Sequence, residues 1–299
     1  MKASQQPDLA KAGARIAVPP GAIANAVPAA GVRVPIELIG PYPMIRGSVN
    51  GQAGRFMLDV GTRMGVLLNS NRLKLGPSVR IGQGVAESGQ PVVLHLHDNV
   101  EQLEIWPGAV VGHVDWAHSA NFGFVEDGIA EDFLGFIGTG ILRPYEFTLD
   151  YADSSVFLSR LAANGTPLVE AYNDQDIVAT LRFTTQNSRA PYEPILPIVD
   201  FTLGGFAIPL GVDSGNPGGK LVLTPEVNAA LCASGLLIQD GDHFSVVDLT
   251  YGESVISLRG IDVEEGTAER GTLGYSLLSR FKTAWNYQKS TLKLFAPHR

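Results

Sequence analysis

The sequence is nearly without cysteine: Cys232 is the single thiol in 299 residues. One thiol excludes an internal disulfide framework and any cysteine-rich zinc or iron–sulfur site. Charge is also scarce, at 17% of residues, where an average globular chain carries about 25%. Positive charge has no surplus: 22 Lys and Arg stand against 30 Asp and Glu, for a net charge of −8. That balance excludes the phosphate-neutralising electrostatics of a non-specific nucleic-acid binder. No apolar run reaches the roughly eighteen residues of a membrane-spanning helix. The opening MKASQQPDLAKAGAR is polar and has no apolar centre, so it is not an intact signal peptide. A chain whose leader had been removed would read the same way, which leaves the compartment open.

Hydrophobic residues make up 45% of the chain, with 34 Gly and 19 Pro. This is a globular, turn-rich composition, long enough for one large domain or two ordinary ones. Short apolar runs at 34–39, 45–49, 55–58, 92–96 and 100–106 alternate with Gly, Asn and Asp, which predicts β-strands. Helical periodicity is scarce. The best helix lies at 225–234, with Thr224 as N-cap, Pro225 in the first position and Gly235 past the end. Cys232 falls on the apolar side of that helix and reads as a small buried hydrophobe. The predicted organisation is an N-terminal arm at 1–33, a β lobe at 34–162, a connection at 163–194 and a second β lobe at 195–299.

The two lobes repeat one another. GFIGTGILRPYEFTLDYADSSVFL and GTLGYSLLSRFKTAWNYQKSTLKL align without a gap. A separation of 136 residues pairs Gly138 with Gly274, Leu142 with Leu278, Tyr151 with Tyr287 and Leu158 with Leu294. Upstream, RGSVNGQAGRFMLDVGT matches DFTLGGFAIPLGVDSGN at a separation of 154, which pairs Asp59 with Asp213 and Gly61 with Gly215. Each copy reads as a hairpin, a strand ending in Asp-x-Gly, and later an apolar–apolar–Gly segment. In the second copy Thr272 takes the first apolar place. Two matched pairs in one order indicate duplication.

A lone Asp-x-Gly is most simply a turn. Two copies at duplicated positions can meet at a pseudo-two-fold axis. Two carboxylates held together cannot both ionise cheaply and share one proton. One then takes a proton from a water as it attacks a carbonyl, while the other hydrogen-bonds the developing oxyanion. A bell-shaped pH–rate profile on the acid side follows from such a pair.

These residues resemble the pepsin-like aspartic proteases and the related retropepsin-like proteins. LDVGT at 58–62 with FIG at 136–138, and VDSGN at 212–216 with TLG at 272–274, carry the likeness. The resemblance implies an all-β, bilobal fold with few short helices, spanning about 34–294. It implies a cleft closed by a β-hairpin flap, Asp59 and Asp213 as catalytic residues, and a peptide or protein substrate. It implies neither metal nor organic cofactor. A duplicated chain completes the site without a second copy, so a monomer is expected.

In such proteins the residues around the aspartates support them. Here these are Val60, Gly61 and Thr62, and Ser214, Gly215 and Asn216. Val60 stands where a hydroxyl residue belongs, so half of the brace across the axis is expected to be missing. Thr62 is expected to hydrogen-bond Asp59, and Asn216 to do the same for Asp213. The flap falls at 78–96, with Gly82, Gly84, Glu87 and Gly89 towards its turn, and contains no aromatic ring besides His95. These departures keep a second reading in view, a pepsin-like protein that binds peptide without cleaving it.

Two other chemistries fit less well. Ser214 in GVDSGNP, with His118, faintly echoes a trypsin-like serine protease but leaves the Asp59 copy unexplained. His95, His97, His113, Asp115 and His118 gather metal-ligating types without a ligand spacing. His95 and His97 read as two exposed polar residues on one face of a strand.

Overall fold

The computed structural model describes residues 26–86, 89–97, 100–115, 117–185, 196–240, 243–246, 248–258 and 261–296. The chain is mostly strand, arranged as two lobes on a shared central sheet. The first lobe holds a ten-stranded sheet, which runs in sequence from Glu37–Ile39 to Phe133–Ile137. The second holds an eight-stranded sheet, from Thr184–Thr185 to Arg270–Leu273.

The duplicated hairpins form as their turns demand. Tyr42–Val49 pairs with Gln52–Leu58 through Asn50 and Gly51, with φ of 49° and 79°. Pro197–Leu203 pairs with Phe206–Val212 through Gly204 and Gly205, with φ of 57° and 90°. Two consecutive positive φ values give the turn whose twist matches that of antiparallel strands. The last residues of each second strand, Phe56 to Leu58 and Leu210 to Val212, are buried, so each strand dives into its lobe before reaching its Asp.

The central sheet joins the lobes. Its order is Val32–Pro35, Ser155–Arg160, Tyr145–Asp150, Lys282–Asn286, Thr291–Phe295 and Ile177–Arg182. The two middle strands are antiparallel, with Phe147 opposite Trp285 and Thr148 opposite Ala284. Thr148 and Ala284 are 136 residues apart, the separation of the repeat itself. The pseudo-two-fold axis therefore passes between them. Phe147 and Trp285 stack across this seam, with ring centroids 5.6 Å apart and planes 9° off parallel. Both are fully buried. Beside them the buried Glu146 accepts from Tyr172 Oη at 2.7 Å and Asn286 Nδ2 at 3.0 Å. Such partners are what allow a carboxyl group to sit inside a core.

The connection at 163–194 is partly regular. Its Ile177–Arg182 segment pairs with Thr291–Phe295 at the edge of the central sheet. At the opposite edge Val32–Pro35 pairs with Ser155–Arg160. The expected helix forms at Pro225–Ala233, with Thr224 accepting from the Val227 amide. Cys232, however, is exposed, which corrects the expectation of burial. Val227 and Leu231 carry the inward stripe, and one further residue turns about 100° around a helix.

Candidate active site

Each Asp sits at the end of a strand hooked into its lobe in the same way. Phe133–Ile137 runs parallel to Gln52–Leu58 on one side and antiparallel to Val66–Asn69 on the other. Arg270–Leu273 lies between Phe206–Val212 and Gly219–Leu223 with the same two senses. The Asp59 amide donates to the Ile137 carbonyl at 3.0 Å, and the Asp213 amide to the Leu273 carbonyl at 2.9 Å. Behind each Asp loop the chain is tied again: Gly138 N to Gly65 O and Thr139 N to Thr62 O in one lobe, Gly274 N to Gly218 O and Tyr275 N to Asn216 O in the other.

This scaffold brings the two carboxylates together across the axis. The Gly61 amide is within hydrogen-bonding distance of both, 2.7 Å from Asp59 Oδ1 and 3.1 Å from Asp213 Oδ1. Asp59 also accepts from Thr62 N at 3.2 Å and Thr62 Oγ1 at 2.7 Å. The expected Thr62 contact is therefore present. Asp213 accepts from Gly215 N at 2.9 Å. Asp213 is 9% exposed, whereas Asp59 is half-buried. Each carboxylate also lies against the glycine of the opposite loop: a Cβ on Gly61 would fall 2.4 Å from Asp213 Oδ2, and one on Gly215 2.6 Å from Asp59 Oδ1.

The brace between the loops is asymmetric, as Val60 predicts. Ser214 Oγ donates to Leu58 O at 2.8 Å and accepts from Val60 N at 3.1 Å. Val60 is fully buried and belongs to the same core cluster as Leu58 and Val212. One hydroxyl thus crosses the axis, and the reciprocal place is filled by hydrocarbon. Ser214→Ala is expected to leave Val60 N and Leu58 O without that partner. The cost is about 1–3 kcal/mol for each group left buried and unpaired, read as a lower urea midpoint at unchanged slope.

Asn216 has a partner that sequence reasoning missed. Its Nδ2 donates to Thr272 Oγ1 at 2.9 Å, and its Oδ1 accepts from Gly218 N at 2.8 Å. The two departures of the second copy, Asn216 and Thr272, are therefore one interaction. The signal in the sequence was that Thr272 replaces the apolar Phe136 in the same copy in which Asn216 replaces Thr62.

The hairpin in the flap position joins Val79–Val85 to Pro91–His97. Gly82 lies opposite Leu94 and Gly84 opposite Val92. Gly89 has φ +87°, and its amide closes the turn onto Ala86 O. Glu87 lies outside the described residues. Ile81, Leu94 and Leu96 belong to the same buried cluster as Met64, two residues beyond Thr62. The hairpin is thus rooted in the same cluster as Met57 and Met64, which flank the first Asp loop. Near its tip Gln83 faces Val93 and Val85 faces Pro91, and all four are exposed.

The rival constellations do not assemble. The Ser214 proton goes to the Leu58 carbonyl, not to an imidazole. Among the described residues no group of His, Cys, Asp and Glu could hold a metal ion. His97 is buried, with Nε2 2.8 Å from Ser119 Oγ, whereas His95 is half-buried, with Nδ1 3.1 Å from Ser78 Oγ. The expectation that both are exposed is corrected for His97. Its strand pairs there with Ala117–Ala120, which covers that end of the hairpin. No helix among the described residues is long and apolar enough to cross a membrane.

No family model matches the sequence, and no curated protein does. Solved structures do match. Basic 7S globulin from soybean aligns with a TM-score of 0.55 at 12% identity, over 90% of this chain and 95% of that one. The structure of edgp aligns with a TM-score of 0.56 at 10% identity, over 91% and 96% respectively. At these identities the likeness is one of fold, and the fold is the mostly-β, bilobal, pepsin-like one.

Proposed function

We propose that the chain is an aspartic endopeptidase in which Asp59 and Asp213 hold a water between them. The observation that carries this reading is the single Gly61 amide in reach of both carboxylates. Groups held so close share one proton. The ionised member takes a proton from the water as its oxygen attacks the peptide carbonyl. The protonated member hydrogen-bonds the oxyanion, then gives its proton to the leaving nitrogen as the C–N bond breaks. Thr62, Gly61, Gly215 and Ser214 orient the pair. Both carboxylates belong to one chain, so the site requires no second copy. The exposed Val85, Pro91 and Val93 make the hairpin a flap that favours apolar side chains in an extended peptide.

A second reading is binding without hydrolysis. Val60 favours it, because it leaves a single hydroxyl brace between the loops. A peptide library digested across pH 2–8 (about the span over which carboxyl groups change charge) separates the two. The enzyme reading expects internal cleavage with a bell-shaped pH profile. Saturable binding with every peptide intact at all pH values overturns it in favour of the second.

A further inference from the structure

We propose that the two sides of the site accept side chains of different size: a large apolar one, aromatic above all, beside Phe136 of the first lobe, and a small one beside Thr272 of the second. The substrate is then an extended peptide cut between a bulky apolar residue and a small one. The proposal rests on the reading of Asp59 and Asp213 as the hydrolytic pair.

Each lobe carries the same row of positions next to its Asp. In the first, Phe136 lies opposite Met57 and Leu67, and Met57 opposite Met44. In the second, Thr272 lies opposite Gly211 and Lys220, and Gly211 opposite Ile198. Met44 and Met57 stand 154 residues before Ile198 and Gly211, and Phe136 stands 136 residues before Thr272. The rows therefore correspond through the two separations of the repeat. Residues opposite one another point to one face of a sheet. Both rows adjoin the Asp loops directly. The carbonyls that hold the Asp59 and Asp213 amides belong to Ile137 and Leu273, the residues after Phe136 and Thr272. Ile137 and Leu273 are buried, whereas Phe136 and Thr272, on the other face, are half-buried.

The rows differ in what they offer. The Phe136 ring is edge-on to Phe122 and Phe133, with centroids 5.0 Å away in each case. It lies on the partly exposed rim of a cluster that also holds Ile81 and Leu94 of the hairpin in the flap position. The same cluster contains Met44, Met57 and Met64, three of the four methionines of the chain. Methionine side chains are flexible and make favourable sulfur contacts with rings, so they yield to large apolar groups of varied shape. The matched place in the second lobe is already filled. Gly211 has no side chain, and Leu196 takes the space: a Cβ on Gly211 would run into Leu196 Cδ2 and lie 3.6 Å from Thr272 Cγ2. Thr272 Oγ1, which accepts from Asn216 Nδ2 at 2.9 Å, sets a polar atom where the first lobe presents a phenyl ring. A large apolar side chain on this side would press on Leu196 and take water from that hydroxyl, and a small one does neither.

The test digests a peptide library with the full chain and reads the residues on both sides of every cut. The expected result is a large apolar residue on one side and Gly, Ala or Ser on the other. Phe136→Ala is expected to lower kcat/KM about tenfold or more for peptides with Phe or Leu on the first side, and less for those with Ala there, since even one methylene of apolar contact is worth about that factor. Leu196→Ala opens the space over Gly211. It is expected to raise the ratio of large to small residues accepted on the second side by about tenfold, a gain that misfolding would not give. Large residues on both sides of the parent's cuts, or variants that keep the parent's preferences, overturn the proposal. If cuts with either pattern still vanish in Asp59→Asn, the hydrolytic pair stands and the size rule alone is lost. Peptides that the parent leaves whole at every pH overturn the hydrolytic reading and this proposal with it.

Discussion

Asp59→Asn and Asp213→Asn are each expected to abolish peptide cleavage while leaving the fold in place. Positioned acid and base groups contribute about 10²–10⁴-fold to a rate, so a fall of at least that size in kcat/KM is expected. The fold is spared because the amide is nearly the same shape. In Asp59→Asn the oxygen can keep the Gly61 and Thr62 amides that Oδ1 accepts now. The new NH2 falls where Thr62 Oγ1 donates to Oδ2, and a hydroxyl can rotate to accept from it. What disappears, on the proposed reading, is the shared proton, because an amide neither takes nor gives one. Cleavage rates measured beside circular dichroism separate the two effects. Full activity in either variant would remove the aspartates from the mechanism.

Gly215→Ala is expected to do nearly as much damage without touching a titratable group. The added methyl would sit 2.6 Å from Asp59 Oδ1 and 2.7 Å from its Cγ. That carboxylate has nowhere to yield, because Gly61 N, Thr62 N and Thr62 Oγ1 hold it in place. The two loops must therefore part. A displacement of about 1 Å at a reacting group costs about 10²-fold, and a fall in kcat of that order is expected. Gly112→Ala is the control: its Cβ would have open space, with nothing within 4 Å. Equal rates for Gly215→Ala and Gly112→Ala would show that the close approach of the loops is not required. The presence of glycine at both Asp-x-Gly positions thus has a steric cause, opposite-loop contact, in addition to any turn preference.

Some of this was legible in the linear order. The helix at Pro225–Ala233 announces itself through Thr224, Pro225 and Gly235, because caps act over a few residues. The paired hairpins show in Asn50-Gly51 and Gly204-Gly205, because their turns need positive φ. The burial of His97 and the exposure of Cys232 were misjudged. Each depends on which neighbour covers one face, and a face of a strand or helix does not name its neighbour. The edge strand Ile177–Arg182 was hidden in a stretch read as a connection, since its partner lies more than a hundred residues away in Thr291–Phe295.

The amino-acid order by itself determined the duplication, the place of Asp59 and Asp213 within it, and the all-β class. Repeats and turn residues are local properties that survive without a fold. Only the tertiary structure decided how the two halves serve each other, with Gly61 N between both carboxylates and Ser214 braced across the axis to Val60 and Leu58, and how Asn216 joins Thr272 within the second lobe. These depend on groups brought together from distant parts of the chain, in several cases more than a hundred residues apart. Their geometry is set by how two lobes meet on one sheet, and no local pattern encodes that meeting.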